Sequence, residues 1–117
     1  MKIEIPYIPP NWNDYINAER TNKYIANKIK QDEKRIMMYL CSGTKYEGNY
    51  PVEISFKPHY LAYRQDLDNF RYKGILDGLV TAGVLKNDNL KCIKKISLEA
   101  VVDGESYIDI EIKPYEE

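Results

Sequence analysis

Histidine, tryptophan and cysteine are scarce in this chain: one, one and two residues in 117. Cys41 and Cys92 stand far apart, with no CxxC spacing and a single imidazole to help them, so the pattern speaks against a zinc site. It favours free thiols over a disulfide framework. No apolar run is long enough to span a bilayer. The opening Met1-Lys2-Ile3-Glu4-Ile5-Pro6 lacks the apolar core and cleavage site of a signal peptide. The expectation is a cytoplasmic protein with no membrane partner. Excess charge of one sign is missing too. A net charge of −1 excludes a uniformly basic nucleic-acid coat, although a local cluster of Lys and Arg can still make one positive face. There are no internal repeats and no low-complexity segments.

What is present suits one ordinary globular domain over residues 1–117, with 44% hydrophobic and 30% charged residues. A chain this short has limited core, which makes oligomerisation a natural route to stability. Residues 2–8 alternate and predict a strand, ended by Pro9-Pro10. Asn11 to Arg20 reads as a loop or an irregular lead-in to a helix. Thr21 or Asn22 can cap a helix running to Leu40, with Ile25, Ile29, Ile36 and Leu40 at helical spacing. Pro51 to Pro58 alternates as a second strand, and His59 to Tyr63 fits either its continuation or a loop. A second helix follows from Phe70 to Ala82, capped by Asp68 or Asn69, with Gly83 as its C′ residue. Lys91 to Val102 predicts a strand. Asp103-Gly104 predicts a hairpin turn into a last strand, Tyr107 to Lys113. The order β-α-β-α-β-β predicts an α/β (α+β) domain: a mixed four-stranded sheet with two helices.

The chemistry concentrates in Arg64-Gln65-Asp66-Leu67-Asp68-Asn69 and in Asp88. If the first stretch ends a strand, Asp66 and Asp68 share a face at i and i+2. The following helix is then expected to return the chain so that Asp88 joins them. Three gathered carboxylates repel one another unless a hard cation such as Mg²⁺ takes their oxygens. Such an ion polarises a phosphodiester and helps generate hydroxide. Arg64, Arg71 and Lys73 flank the acids, where a phosphate needs positive partners. The plainer alternative has Asp68 as a helix cap and Lys73 paired with Asp77 at i+4.

Asp66-Leu67-Asp68-Asn69, Lys73, Asp77-Gly78-Leu79, Ala82-Gly83-Val84 and Asn87-Asp88 occur in one order, preceded by Pro6, Pro9-Pro10 and Asn11. In this the chain resembles the RusA family of Holliday junction resolvases, over almost its whole length. The resemblance implies a small homodimeric endodeoxyribonuclease that needs Mg²⁺, with Mn²⁺ as substitute. Such an enzyme nicks four-way DNA junctions symmetrically, in recombination and repair, in a bacterial or phage setting. It implies that Asp66, Asp68 and Asp88 bind the metal and are catalytic together with Lys73. Two departures stand out. One extra residue separates Asp68 from Lys73, and Asn87 replaces the first aspartate of an Asp-Asp pair.

A junction enzyme must also hold phosphates. Arg20, Lys23, Arg64, Arg71, Lys91, Lys94 and Lys95 are the DNA-binding candidates, and some of the 11 tyrosines could stack on unpaired bases. Two-fold cleavage calls for a two-fold dimer, for which the second helix, with its wide apolar stripe, is the candidate interface. Two further readings stay open: a catalytically weak or inactive junction-binding protein of the same fold, and a phosphodiesterase of other branched DNA.

Overall fold

The alternation of Val52, Ile54, Phe56 and Pro58 with Glu53, Ser55, Lys57 and His59 gives one strand two different faces, and the molecule is built around it. A computed structural model describes residues 1–116. In it β1 (Lys2–Ile5) is followed by α1 (Trp12–Thr21), α2 (Lys23–Leu40) and β2 (Val52–Tyr60). Then come α3 (Tyr72–Thr81), β3 (Ile93–Leu98), β4 (Val101–Val102) and β5 (Tyr107–Pro114). The result is a single α+β domain with three helices and a mixed five-stranded sheet. The sheet order is β1-β5-β2-β3, with β4 continuing the β3 edge along β2. β5 runs antiparallel to β1 and β2, whereas β3 and β4 run parallel to β2.

The helices cover one face. Val52, Ile54 and Phe56 of β2 and Ile108, Ile110 and Ile112 of β5 are buried beneath them with Ile75, Leu79 and Met37. The other face stays open and carries charge, including ion pairs of Glu53 with Lys95 and Lys113.

Three sequence expectations change here. Asn11 to Arg20 is mostly helix, not loop: the Asn11 side chain accepts a hydrogen bond from the Asp14 backbone N–H at 2.8 Å and caps α1. Second, Asp103-Gly104 turns but makes no hairpin. β4 and β5 lie on opposite edges of β2, so the turn crosses over the end of that strand, and Asp103 and Gly104 donate backbone N–H bonds to the Tyr60 carbonyl. Third, the outer part of the predicted α2 stripe is not core. Ala26, Glu33 and Met37 face inward, while Ile25 remains 47% exposed.

Two expectations about helix ends hold. Asn22 caps α2 through its side chain. Gly83 adopts φ +84° just past α3. Its N–H bonds Val80 while the Val84 N–H bonds Leu79, the paired closure of a left-handed helix terminus. α3 spends its apolar stripe within the chain, against the sheet and α2. Gly78 lies so close to Met37 that a Cβ there would meet its Cβ at 2.6 Å. The stripe is therefore not a free dimer surface.

His59 is held between two carboxylates and an aromatic ring. Its Nδ1 lies 2.7 Å from Asp103 and its Nε2 2.9 Å from Asp109, and the ring stacks on Tyr107. Burial alone lowers an imidazole pKa, but here the two carboxylates outweigh it and the net direction is up. A raised folded-state pKa contributes stability that is complete below the unfolded value of 6.5 and is lost as pH rises through the folded value. Urea titrations of the wild type are expected to lose stability as pH rises above 6.5. His59→Gln is expected to be less stable at acidic pH and to lack this slope. Parallel curves for the two proteins would remove the imidazolium from the account.

Candidate active site: two acidic segments at opposite ends of α3

β2 ends at Tyr60, and the chain then turns away from the sheet before Asp66. Asp66 is extended, but Leu67–Asn69 forms a single 3₁₀ turn, closed by Asn69 N–H to the Asp66 carbonyl at 3.0 Å and Phe70 N–H to Leu67 at 3.1 Å. Side chains at i and i+2 do not share a face in a 3₁₀ turn, so the strand-based pairing of Asp66 with Asp68 does not hold. Both residues are exposed. Neither Asp68 nor Asn69 caps α3, which begins only at Tyr72, with no side-chain cap. Instead the Asn69 side chain accepts the Asn13 backbone N–H at 3.1 Å, tying the acidic turn to the start of α1.

Asp88 is not beside them. β3 is parallel to β2, and Ile93 pairs with Val52, the first residue of β2. α3 must therefore run back along the sheet, about 15 Å over its ten residues. Asp66 and Asp68 precede it, and Asp88 follows it at the other end. Among the described residues no three His, Cys, Asp or Glu side chains come together as a metal site. Within one chain, then, the expected three-carboxylate cradle is not formed. Asn87 serves its own loop, its side-chain oxygen accepting the Asp88 N–H at 2.7 Å.

The basic candidates separate as well. Arg64 is exposed next to the acidic turn and lines a cavity of about 720 Å³ between the Leu61–Gln65 loop and Pro9–Asn11. Lys73 is exposed on the first turn of α3 and lies 3.5 Å from Asp77 at i+4. Lys91 and Lys94 are exposed near the Asp88 end, and Arg20 on the last turn of α1. Lys95 points to the open sheet face, where it pairs with Glu53.

Arg71 is a correction. It is only 2% exposed and cannot reach DNA. One guanidinium nitrogen donates to both Glu33 oxygens, and the group lies 4.1 Å from the Tyr15 ring centre and 5.6 Å from that of Trp12. Gly74 leaves room for the pair, since a Cβ there would meet Arg71 at 2.7 Å. Burial raises the Glu33 pKa against the opposing pull of Arg71. Burial also pushes Tyr7 up to about 12, helped by the Glu33 charge. This cluster fixes the residue directly behind Phe70, and so anchors the acidic turn to α2.

The sequence reading overlooked Glu33 and Asp14, and gave Asn69 the role of a helix cap in place of its bond to Asn13. Only Asp14 had a local signal, as the acid three residues after the Asn11 cap. None of the described helices is long and apolar enough to cross a membrane. No known protein-family model matches the chain, and no curated protein does.

Proposed function

We propose that the chain is a metal-dependent endodeoxyribonuclease acting on four-way junctions, with each active site completed between two copies. The observation that carries this reading is the split itself. Two acidic segments in the order of the junction-resolvase motif lie at opposite ends of α3. A two-fold axis that sets two copies antiparallel brings the Asp88 end of each beside the Asp66–Asp68 end of the other, twice. The two resulting sites carry the symmetry of a four-way junction. Asp66, Asp68 and Asp88 of the partner subunit would hold Mg²⁺ or Mn²⁺, which supplies Lewis acidity toward the phosphodiester and a source of hydroxide. Arg64, beside the acids, holds the phosphate. Lys73, exposed on the adjoining helix turn, exchanges its half-buried Asp77 partner for developing phosphate charge at little cost, since such surface pairs contribute little.

The test is cleavage of an end-labelled synthetic four-way junction with Mg²⁺, with linear and flap DNA as controls and Asp68→Asn as the variant. Paired nicks at symmetric positions, absent in the variant, are the expected result. A second reading is a junction-binding protein without cleavage, favoured by the local engagement of Asn87. Junction binding with no nicks in wild type or variant would select it. Equal cutting of flaps and junctions would select a broader phosphodiesterase.

A further inference from the structure

Beside the acidic turn lies the cavity of about 720 Å³, within the range of small-ligand sites. Pro9, Pro10, Tyr60 and Phe70 supply apolar wall, and Gln65 and Asp14 add hydrogen-bonding groups. We propose that this cavity receives one unpaired nucleobase from the branch point of the bound DNA. The proposal rests on the reading of the chain as a junction-binding protein and names the subsite by which it would tell a branch from a continuous duplex.

Three features select a base. The wall is mainly ring and aliphatic surface, which suits a planar aromatic ligand and not an ion. The Asp14 carboxylate lines the cavity and repels a phosphate there, whereas the amino groups of bases can donate to it. Arg64 lies at the same cavity and one residue from Gln65, so a nucleotide can place its base inward and its phosphate on the guanidinium. Asp66 follows directly, which puts the captured nucleotide next to the proposed point of cutting. A branch-point base lacks a full stack, so drawing it out costs least there. The Asn69–Asn13 bond and the Asn11 cap of α1 hold the two sides of the cavity at a fixed spacing before DNA arrives.

The test is equilibrium binding of the full chain, in EDTA, to immobile four-way junctions with an abasic nucleotide at each branch position in turn. Linear duplex serves as reference. An abasic site at one symmetry-related pair of positions is expected to weaken wild-type binding roughly tenfold, the loss of one base stack. Ala62→Leu fills the cavity from an exposed loop position. It is expected to bind the intact junction as weakly as wild type binds the abasic one, with no further abasic penalty. Gln65→Ala, also exposed, is expected to show an intermediate loss. Junction preference without any abasic penalty, or an unchanged penalty in Ala62→Leu, would overturn the base pocket alone. Equal affinity for junction and duplex would overturn the functional reading with it.

Discussion

Mixing an Asp66→Asn protein with an Asp88→Asn protein is expected to restore junction nicking that neither protein has alone. Each homodimer would lack one ligand in both sites, and loss of a metal ligand should reduce cleavage by more than roughly 100-fold, the upper range for a group that merely supports a ligand. Subunit exchange yields a mixed dimer in which both substitutions meet in one site. The other site combines an unaltered Asp66–Asp68 turn with an unaltered Asp88. Such a dimer nicks one strand, so the product is a singly nicked junction and not two resolved duplexes. Asp66→Asn mixed with Asp68→Asn is the control: both substitutions fall on the same segment, both sites stay damaged, and no rescue is expected. If each site were contained in one chain, neither mixture would regain activity. Rescue in both mixtures, or in neither, would therefore refute the shared site, and gel analysis of a labelled junction distinguishes the outcomes.

Arg71→Ala is expected to be the most destabilising single replacement of a charged residue. It strands the Glu33 carboxylate, only 3% exposed, without its partner. Breaking a buried ion pair from one side costs roughly 3–5 kcal/mol. In a domain of this size that is a fall in Tm on the order of 10–20 °C. The loss should depend on pH in a defined sense. Burial already raises the Glu33 pKa, and without the guanidinium nothing of comparable strength opposes it. A group with a raised pKa is destabilising once pH exceeds its unfolded value, so the deficit of Arg71→Ala should shrink as pH falls toward the ordinary carboxylate range. Glu33→Gln combined with Arg71→Met should recover much of the stability at neutral pH, because it removes both charges together. A calorimetric series from pH 4 to 8 tests this, and a deficit that is constant with pH would refute the ion-pair account.

Local signals in the sequence were reliable where local geometry decides the outcome. Gly83 stops α3 because a left-handed residue is needed there, and Asn22 caps α2 with its own side chain. The alternation of Val52, Ile54 and Phe56 marks β2 without reference to any other strand. The errors concern partners distant in sequence. Whether Asp88 rejoins Asp66 depends on the sense in which β3 pairs with β2, and alternation is the same for parallel and antiparallel strands. Arg71 resembles an exposed phosphate ligand because the residue that buries it, Glu33, lies on another helix. The Asp103-Gly104 turn has hairpin chemistry, but its flanking strands find better partners on the two edges of β2. The candidate site inherits both kinds of signal: its residue types were legible, and their separation along α3 was not.

The place of β5 in the sheet also fixes when the domain can form. β5 is the last of the five strands in chain order, yet it lies between β1 and β2 and pairs with both. On the ribosome, β1 lacks its partner in the sheet until residues 107–114 emerge, and β2 lacks one of its two edges until then. The sheet therefore stays unfinished until β5 has been made, and β5 closes it by joining β1 to β2.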